Sequence, residues 1–246
     1  MVRLSVTRLF STATTPPIPP KKLALIPGDG IGPEIADSVV KIFQAAKVPV
    51  EWVPVNVTPV ITASGKTAIP TSALDVIKEL KFGLKGPLAT PVGRGHVSLN
   101  LTLRRELNLY ANVRPCRTIP GFKTLYDQVD TVVIRENTEG EYSGIEHEVV
   151  RGVMQSVKLI TKKASERIAK YAFEYAQACG RNHVTVVHKA TIMYACLSIC
   201  YLIINHFRRA SDGLFLEAAM NVAKQFPNVK CVDMTLDNAC LQVHTF

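Results

Sequence analysis

The chain has 246 residues, 47% hydrophobic and 20% charged, with a mean hydropathy of +0.14. This suits one large domain or two modest ones around a buried core, and it excludes a globally disordered or low-complexity chain. Lys and Arg outnumber Asp and Glu by 29 to 20, but only 7% of residues are aromatic, so the excess reads as a basic leader plus a solvated surface and no nucleic-acid partner is expected. No apolar run is long enough to span a bilayer, so no membrane partner is expected either. Residues 1–15 hold Arg3 and Arg8, several Ser and Thr, and no acid. Val2, Val6, Leu9 and Phe10 can share one helical face. This is the composition of a mitochondrial transit peptide, and the Pro-rich 16–20 would separate it from the domain. Residues 1–22 are thus expected to be leader and linker, with the mature protein in the mitochondrial matrix.

The apolar run 23–26 predicts a strand that ends in the turn Pro27-Gly28-Asp29-Gly30. Pro33 and Glu34 suit the first turn of a helix continuing through Ile35, Val39, Val40 and Phe43. A strand is expected over 48–55, a helix over 72–80 and a short strand over 82–86. Leucines at 99, 103 and 107 predict a helix over 99–106. Strands follow at 109–113 and 131–135, then a hairpin over 149–160 turning near Arg151-Gly152. A periodic helix spans 165–179, a strand 184–188, a helix 212–225 and a strand 229–236. Alternating strands and helices indicate an α/β protein.

The six cysteines form no CxxC pair, and the six histidines show no metal-ligand spacing, so reduced thiols are expected. Gly28, Gly30 and Gly32 suggest a dinucleotide fingerprint, but GxGxxG requires glycine at position 33, where Pro33 stands. The minimum reading is a tight strand-to-helix turn. Asn100 and Arg104 lie four apart on one predicted helix face. Ser98 stands at the start of that helix, where backbone N–H groups favour an anion. Arg114 and Arg135 stand at or near strand ends. Arginines in such places suit a small polycarboxylate, because the planar guanidinium binds carboxylate bidentately. Surface ion pairs would account for the same arginines. Lys189 at a strand end is a candidate base, and Tyr142 a candidate acid if a cation lies nearby. Asp233 and Asp237 are candidate magnesium ligands, since hard cations take carboxylate oxygens.

The segments LIPGDGIGPEI, LKGPLATPVGRGHVSLNLTLRRELNLYANVRPC, VIRENTEGEYSGIEHE and VVHKATI resemble the β-decarboxylating dehydrogenases. Within that family they are most similar to catalytic subunits of NAD-dependent isocitrate dehydrogenases of mitochondria. The resemblance implies the two-domain α/β isocitrate/isopropylmalate dehydrogenase-like fold, not a Rossmann fold. The large domain would begin at 23–109 and the small domain would take 110–246, with a dimer-forming clasp near 140–163. The implied reaction is oxidative decarboxylation of isocitrate to 2-oxoglutarate with NAD and Mg2+ or Mn2+, in a hetero-oligomer of homologous subunits.

The resemblance further implies that Ser98, Asn100, Arg104, Arg114 and Arg135 hold isocitrate. Tyr142 would be the acid. Lys189, acting in a neighbouring subunit's site, would help deprotonate the substrate hydroxyl. Lys85, Leu88, Thr90 and Thr191 would lie near the nicotinamide, and Asp237 would be one metal ligand. The polar Ser98 and Asn100 favour the γ-carboxylate of isocitrate over the alkyl group of isopropylmalate.

Two departures from the family stand out. The run 194–210, apolar at its centre and basic at its end, reads as an atypical insertion, an unremoved intron or faulty gene prediction rather than a functional loop. The likeness also stops near Gln242, whereas relatives continue. This implies that the second half of the large domain is missing, that residues 23–109 present uncovered apolar surface, and that the chain as written is inactive. The rival readings are a non-catalytic partner of intact subunits, and a homoisocitrate or isopropylmalate dehydrogenase.

Overall fold

The computed structural model describes residues 19–58, 60–61, 67–89, 98–126, 128–191 and 210–242. Nearly all of the expected leader, Thr90 and the insertion fall outside these residues. The chain divides into two compact units, Met1–Asn100 and Leu101–Phe246. Among the described residues no helix is long and apolar enough to cross a membrane.

The first unit is built on β1 (Lys21–Ile26), α1 (Gly32–Ala45), β2 (Val50–Pro54), β3 (Val60–Ile61), β4 (Thr67–Ala68), α2 (Thr71–Leu80) and β5 (Gly83–Lys85). A parallel sheet has the order β2-β1-β5, with Ala24 facing both Val53 and Gly83. β1 is central, and its Ala24 and Ile26 are buried with Ala73, Leu74 and Ile77 of α2. Parallel pairing requires a crossover, and α1 and α2 supply one each. α1 turns Ala36 inward, not Ile35, and leaves Ile31, Ile35 and Ile42 exposed. Phe43 meets Trp52 edge to face at 5.4 Å. The β3–β4 pair was not foreseen, because two-residue strands carry no periodicity.

The boundary between the units falls in the first turn of α3 (Leu99–Glu106). The second unit continues with the antiparallel β6 (Ala111–Arg117) and β7 (Asp130–Glu136), and the hairpin β8 (Gly140–Val150) and β9 (Val153–Leu159). After α4 (Lys162–Ala178) come β10 (His183–His188), α5 (Ala210–Ala223), β11 (Lys230–Thr235) and α6 (Leu236–Gln242). β10 and β11 pair in parallel. α4, α5 and these strands enclose a core of Ala169, Phe173, Ala176, Val186, Leu216 and Ala219. Phe173 is 1% exposed and stacks on Phe226 at 5.4 Å. Thr161 caps α4, its hydroxyl accepting from the Ala164 amide.

Beyond the β3–β4 pair, three departures from expectation are the largest. β6 runs on to Arg117 through Pro115; its sheet has two strands, so a residue without an N–H is tolerated. β8 starts nine residues earlier than the expected 149, because GEYSGIEHE is mostly exposed and carries no apolar alternation. α6 follows β11 with no breaker between them and was not expected at all.

Candidate functional site

In the first unit the turn after β1 holds the segment that follows β5. Gly28 has φ +81°, and a Cβ there would meet the Pro87 carbonyl oxygen at 2.0 Å. A Cβ on Gly86 would meet the Pro27 oxygen at 1.8 Å. Glycine is therefore required at both positions for the two backbones to touch. The Asp29 amide donates to Pro87 O at 2.7 Å, and the Asp29 carboxylate accepts from the Ala89 amide at 2.8 Å. Of the three glycines that suggest a fingerprint, Gly28 and Gly32 thus serve a clasp within the chain around residues 86–89, while Gly30 faces open space.

That clasp sets Lys85 and Leu88, which meet Asn100. Lys85 Nζ donates to Asn100 Oδ1 at 2.9 Å and to Gly86 O at 2.7 Å. Asn100 Nδ2 donates to Leu88 O at 2.9 Å. One expected substrate residue and two expected cofactor-side residues are therefore joined, with both ends of the Asn100 amide engaged. Ser98, half-buried, directly precedes α3.

In the second unit Tyr142 lies near two guanidiniums. Arg135 stands 4.9 Å from the ring centroid and Arg104 6.0 Å. Arg114 pairs with Val133, and Arg135 with Asn112. In an antiparallel ribbon that register makes Arg114 and Arg135 diagonal neighbours on one face. Among the described residues no carboxylate pairs with Arg104, Arg114 or Arg135. A cationic surface without a protein counter-ion is what a polyanionic ligand needs.

Residues that sequence reasoning passed over hold this arrangement. Arg105 donates to the backbone oxygens of Ser143 at 2.8 Å and Tyr142 at 3.3 Å. Arg135 donates to the buried Asn137 at 3.4 Å. Glu136 accepts from the amides of Thr138 and Glu139, both at 2.7 Å, and lies 3.6 Å from Arg167. Arg167 stands 4.1 Å over the Tyr110 ring and donates to Asn108 at 3.0 Å. The Arg105 signal, two adjacent arginines on a helix, was present but ambiguous. Arg167 looked like an ordinary surface residue of α4.

Beyond β10, Lys189 Nζ pairs with the Asp237 carboxylate. The Lys189 backbone N–H donates to Asp212 at 2.9 Å, and the other Asp212 oxygen takes Lys158 Nζ at 2.8 Å. His188 Nδ1 accepts from the Ala190 amide at 3.1 Å, which leaves the ring proton on Nε2, 3.4 Å from Asp233. Thr191 is exposed two residues on. Among the described residues no cluster of three or more His, Cys, Asp or Glu side chains is present. Asp237 is an exposed hard-oxygen donor suited to a divalent cation, and one such donor is part of a shell, not a whole one.

The sequence model of the isocitrate/isopropylmalate dehydrogenase family matches residues 22–245. The chain is 56% identical over 239 residues to the probable isocitrate dehydrogenase [NAD] subunit alpha, mitochondrial, of Drosophila melanogaster, covering 97% of this chain and 58% of that one. It is 50% identical over 222 residues to the chloroplastic 3-isopropylmalate dehydrogenase of Solanum tuberosum, covering 90% of this chain and 58% of that one. Among solved structures, the isocitrate dehydrogenase of Methylococcus capsulatus superposes with a TM-score of 0.74 at 41% identity, covering 90% of this chain and 62% of that one. The chain therefore spans somewhat over half the length of the curated relatives it matches.

Proposed function

The chain belongs to the isocitrate/isopropylmalate dehydrogenase family, and from that premise we propose that it serves a mitochondrial NAD-dependent isocitrate dehydrogenase. The reaction is oxidative decarboxylation of isocitrate to 2-oxoglutarate. The observation that carries this reading is Tyr142 beside Arg104 and Arg135, both without a carboxylate partner among the described residues. The fly relative's name supports NAD, the mitochondrion and assembly as a subunit.

Ser98, Asn100, Arg104, Arg114 and Arg135 hold the substrate in this reading. Two guanidiniums beside one phenol keep the carboxylates next to the group that moves the proton. Lys189 takes up the substrate hydroxyl proton, in a partner subunit's site. Tyr142 delivers a proton to the carbon that has lost carbon dioxide. Lys85, Leu88, Thr90 and Thr191 would border the nicotinamide, and Asp237 would contribute one ligand to Mg2+ or Mn2+. Bound there, NAD would supply a hydride acceptor and the cation a Lewis acid for the carbonyl oxygen. The exposed β8–β9 ribbon is the clasp through which a homologous subunit pairs.

Calorimetric titration of the protein with isocitrate, 3-isopropylmalate and homoisocitrate tests the reading without requiring turnover. Isocitrate should bind most tightly, and Arg135→Met should abolish that preference. Tighter binding of 3-isopropylmalate would replace it with the second reading, which the 50% identity to the potato enzyme favours. The polar Ser98 weighs against that second reading. Asn100 weighs less, because its amide is engaged with Lys85 and Leu88.

A further inference from the structure

We propose that Asp212 is a positioning residue for Lys189, and that Lys158 of the β8–β9 hairpin holds Asp212 in place. The inference rests on the reading of Lys189 as the proton acceptor. Asp212 is 9% exposed, at the start of α5, and is the only carboxylate among the buried described residues. A carboxylate in such a place needs partners, because its desolvation is costly. It has two. One oxygen takes Lys158 Nζ at 2.8 Å, and the other takes the Lys189 amide at 2.9 Å.

The second bond has a geometric consequence. Lys189 is the first residue past β10, where sheet pairing no longer holds the backbone. The Asp212 bond fixes the peptide from which the Lys189 side chain departs. The Nζ end is held separately, by Asp237 on α6. The lysine is thus fixed at both ends by carboxylates on different helices. Asp237 can be given up to a ligand, since it is exposed, while Asp212 is sheltered and stays.

Lys158 adds a mechanical link. It lies on β9, in the ribbon that otherwise projects exposed apolar residues. Whatever docks on that ribbon therefore pulls on a strand that is ion-paired to the support of Lys189. A subunit that pairs through the hairpin would set this lysine at the same time.

The test compares wild type with Asp212→Ala, Lys158→Met and Lys158→Arg. Hydrogen exchange is followed on peptides covering 183–191 and, as controls, on peptides from α4 and β11. Asp212→Ala should speed exchange at the Lys189 amide about tenfold, the loss of one charge-assisted hydrogen bond. Lys158→Met should do so in part, and Lys158→Arg should match wild type. Asp212→Ala leaves Lys158 without its partner and risks misfolding, so the Lys158 pair decides the question if that variant melts early. In the enzyme assembled with its subunits, Lys158→Met should lower kcat several-fold with isocitrate KM unchanged, and Lys158→Arg should restore it. Unchanged exchange at Lys189 in folded Asp212→Ala would overturn the proposal, as would identical behaviour of the two Lys158 variants. If wild type fails to bind isocitrate, the functional reading fails instead, and the exchange result stands by itself.

Discussion

At the scale of single residues, the decisive feature is charge without a counter-charge. Arg104, Arg114 and Arg135 lie in a chain with 20 acidic residues, and among the described residues none of those acids pairs with them. Elsewhere arginines find partners readily: Arg117 and Arg181 both reach Asp130, and Arg167 reaches Glu136. The contrast sets these three apart from the ion-paired arginines. Arg135→Lys should weaken isocitrate binding by about 1.5–3 kcal/mol, because an ammonium keeps the charge but not the fork; calorimetry reads this directly. Tyr142→Phe in the assembled enzyme should lower kcat about 10²–10⁴-fold and leave isocitrate binding nearly unchanged. An equal loss in binding would mean that Tyr142 holds substrate and does not move its proton. Arg105, in the last turn of α3, gave only an ambiguous signal in the sequence. Its contribution is to two backbone oxygens, and no side-chain pattern announces such a bond.

At the scale of elements, the second unit owes its core to α4 and α5 packing on β10 and β11. Phe173 is the largest side chain fully enclosed there. Phe173→Ala should cost about 3–5 kcal/mol of stability, read as a shift in denaturant midpoint. The β6–β7 ribbon is tied to the end of α4 by Asp130. Hydrogen bonds from Arg181 and then Arg117 hold its carboxyl below the ordinary carboxylate range. A depressed folded-state value adds stability above the ordinary range, and that stability is lost as pH falls through the depressed value. Asp130→Asn should therefore lower Tm at pH 7, and the difference from wild type should shrink below about pH 4. A constant difference across pH would show that shape, not charge, is what Asn fails to supply.

At the scale of the whole molecule, apolar surface is left over. The β8–β9 ribbon exposes Val149, Val150, Val153 and Met154, the last at 64%, and a two-stranded ribbon by itself is marginal in water. The first unit likewise exposes Ile31, Ile35 and Ile42. If the ribbon is the subunit clasp, Met154→Glu should shift the protein to a smaller species in light scattering, with circular dichroism unchanged. A variant that keeps its wild-type mass would remove the ribbon from the interface.

The sequence by itself determined the α/β class, most elements, the family and the residue types at the site. Those properties are written locally, in apolar period, in turn residues and in long uninterrupted motifs. Elements without such a record escaped it: the charged start of β8, the two-residue β3 and β4, and α6, which no breaker separates from β11. Tertiary structure alone decided what each polar residue does. It turned the Asn100 amide onto Lys85 and Leu88, and it put the glycine-rich turn to use against the backbone at Pro87. It gave Asp212 a buried place between Lys158 and Lys189. Hydrogen bonds and ion pairs depend on approach to within about 3 Å, and residues 12 to 60 positions apart make that approach only when the chain is folded.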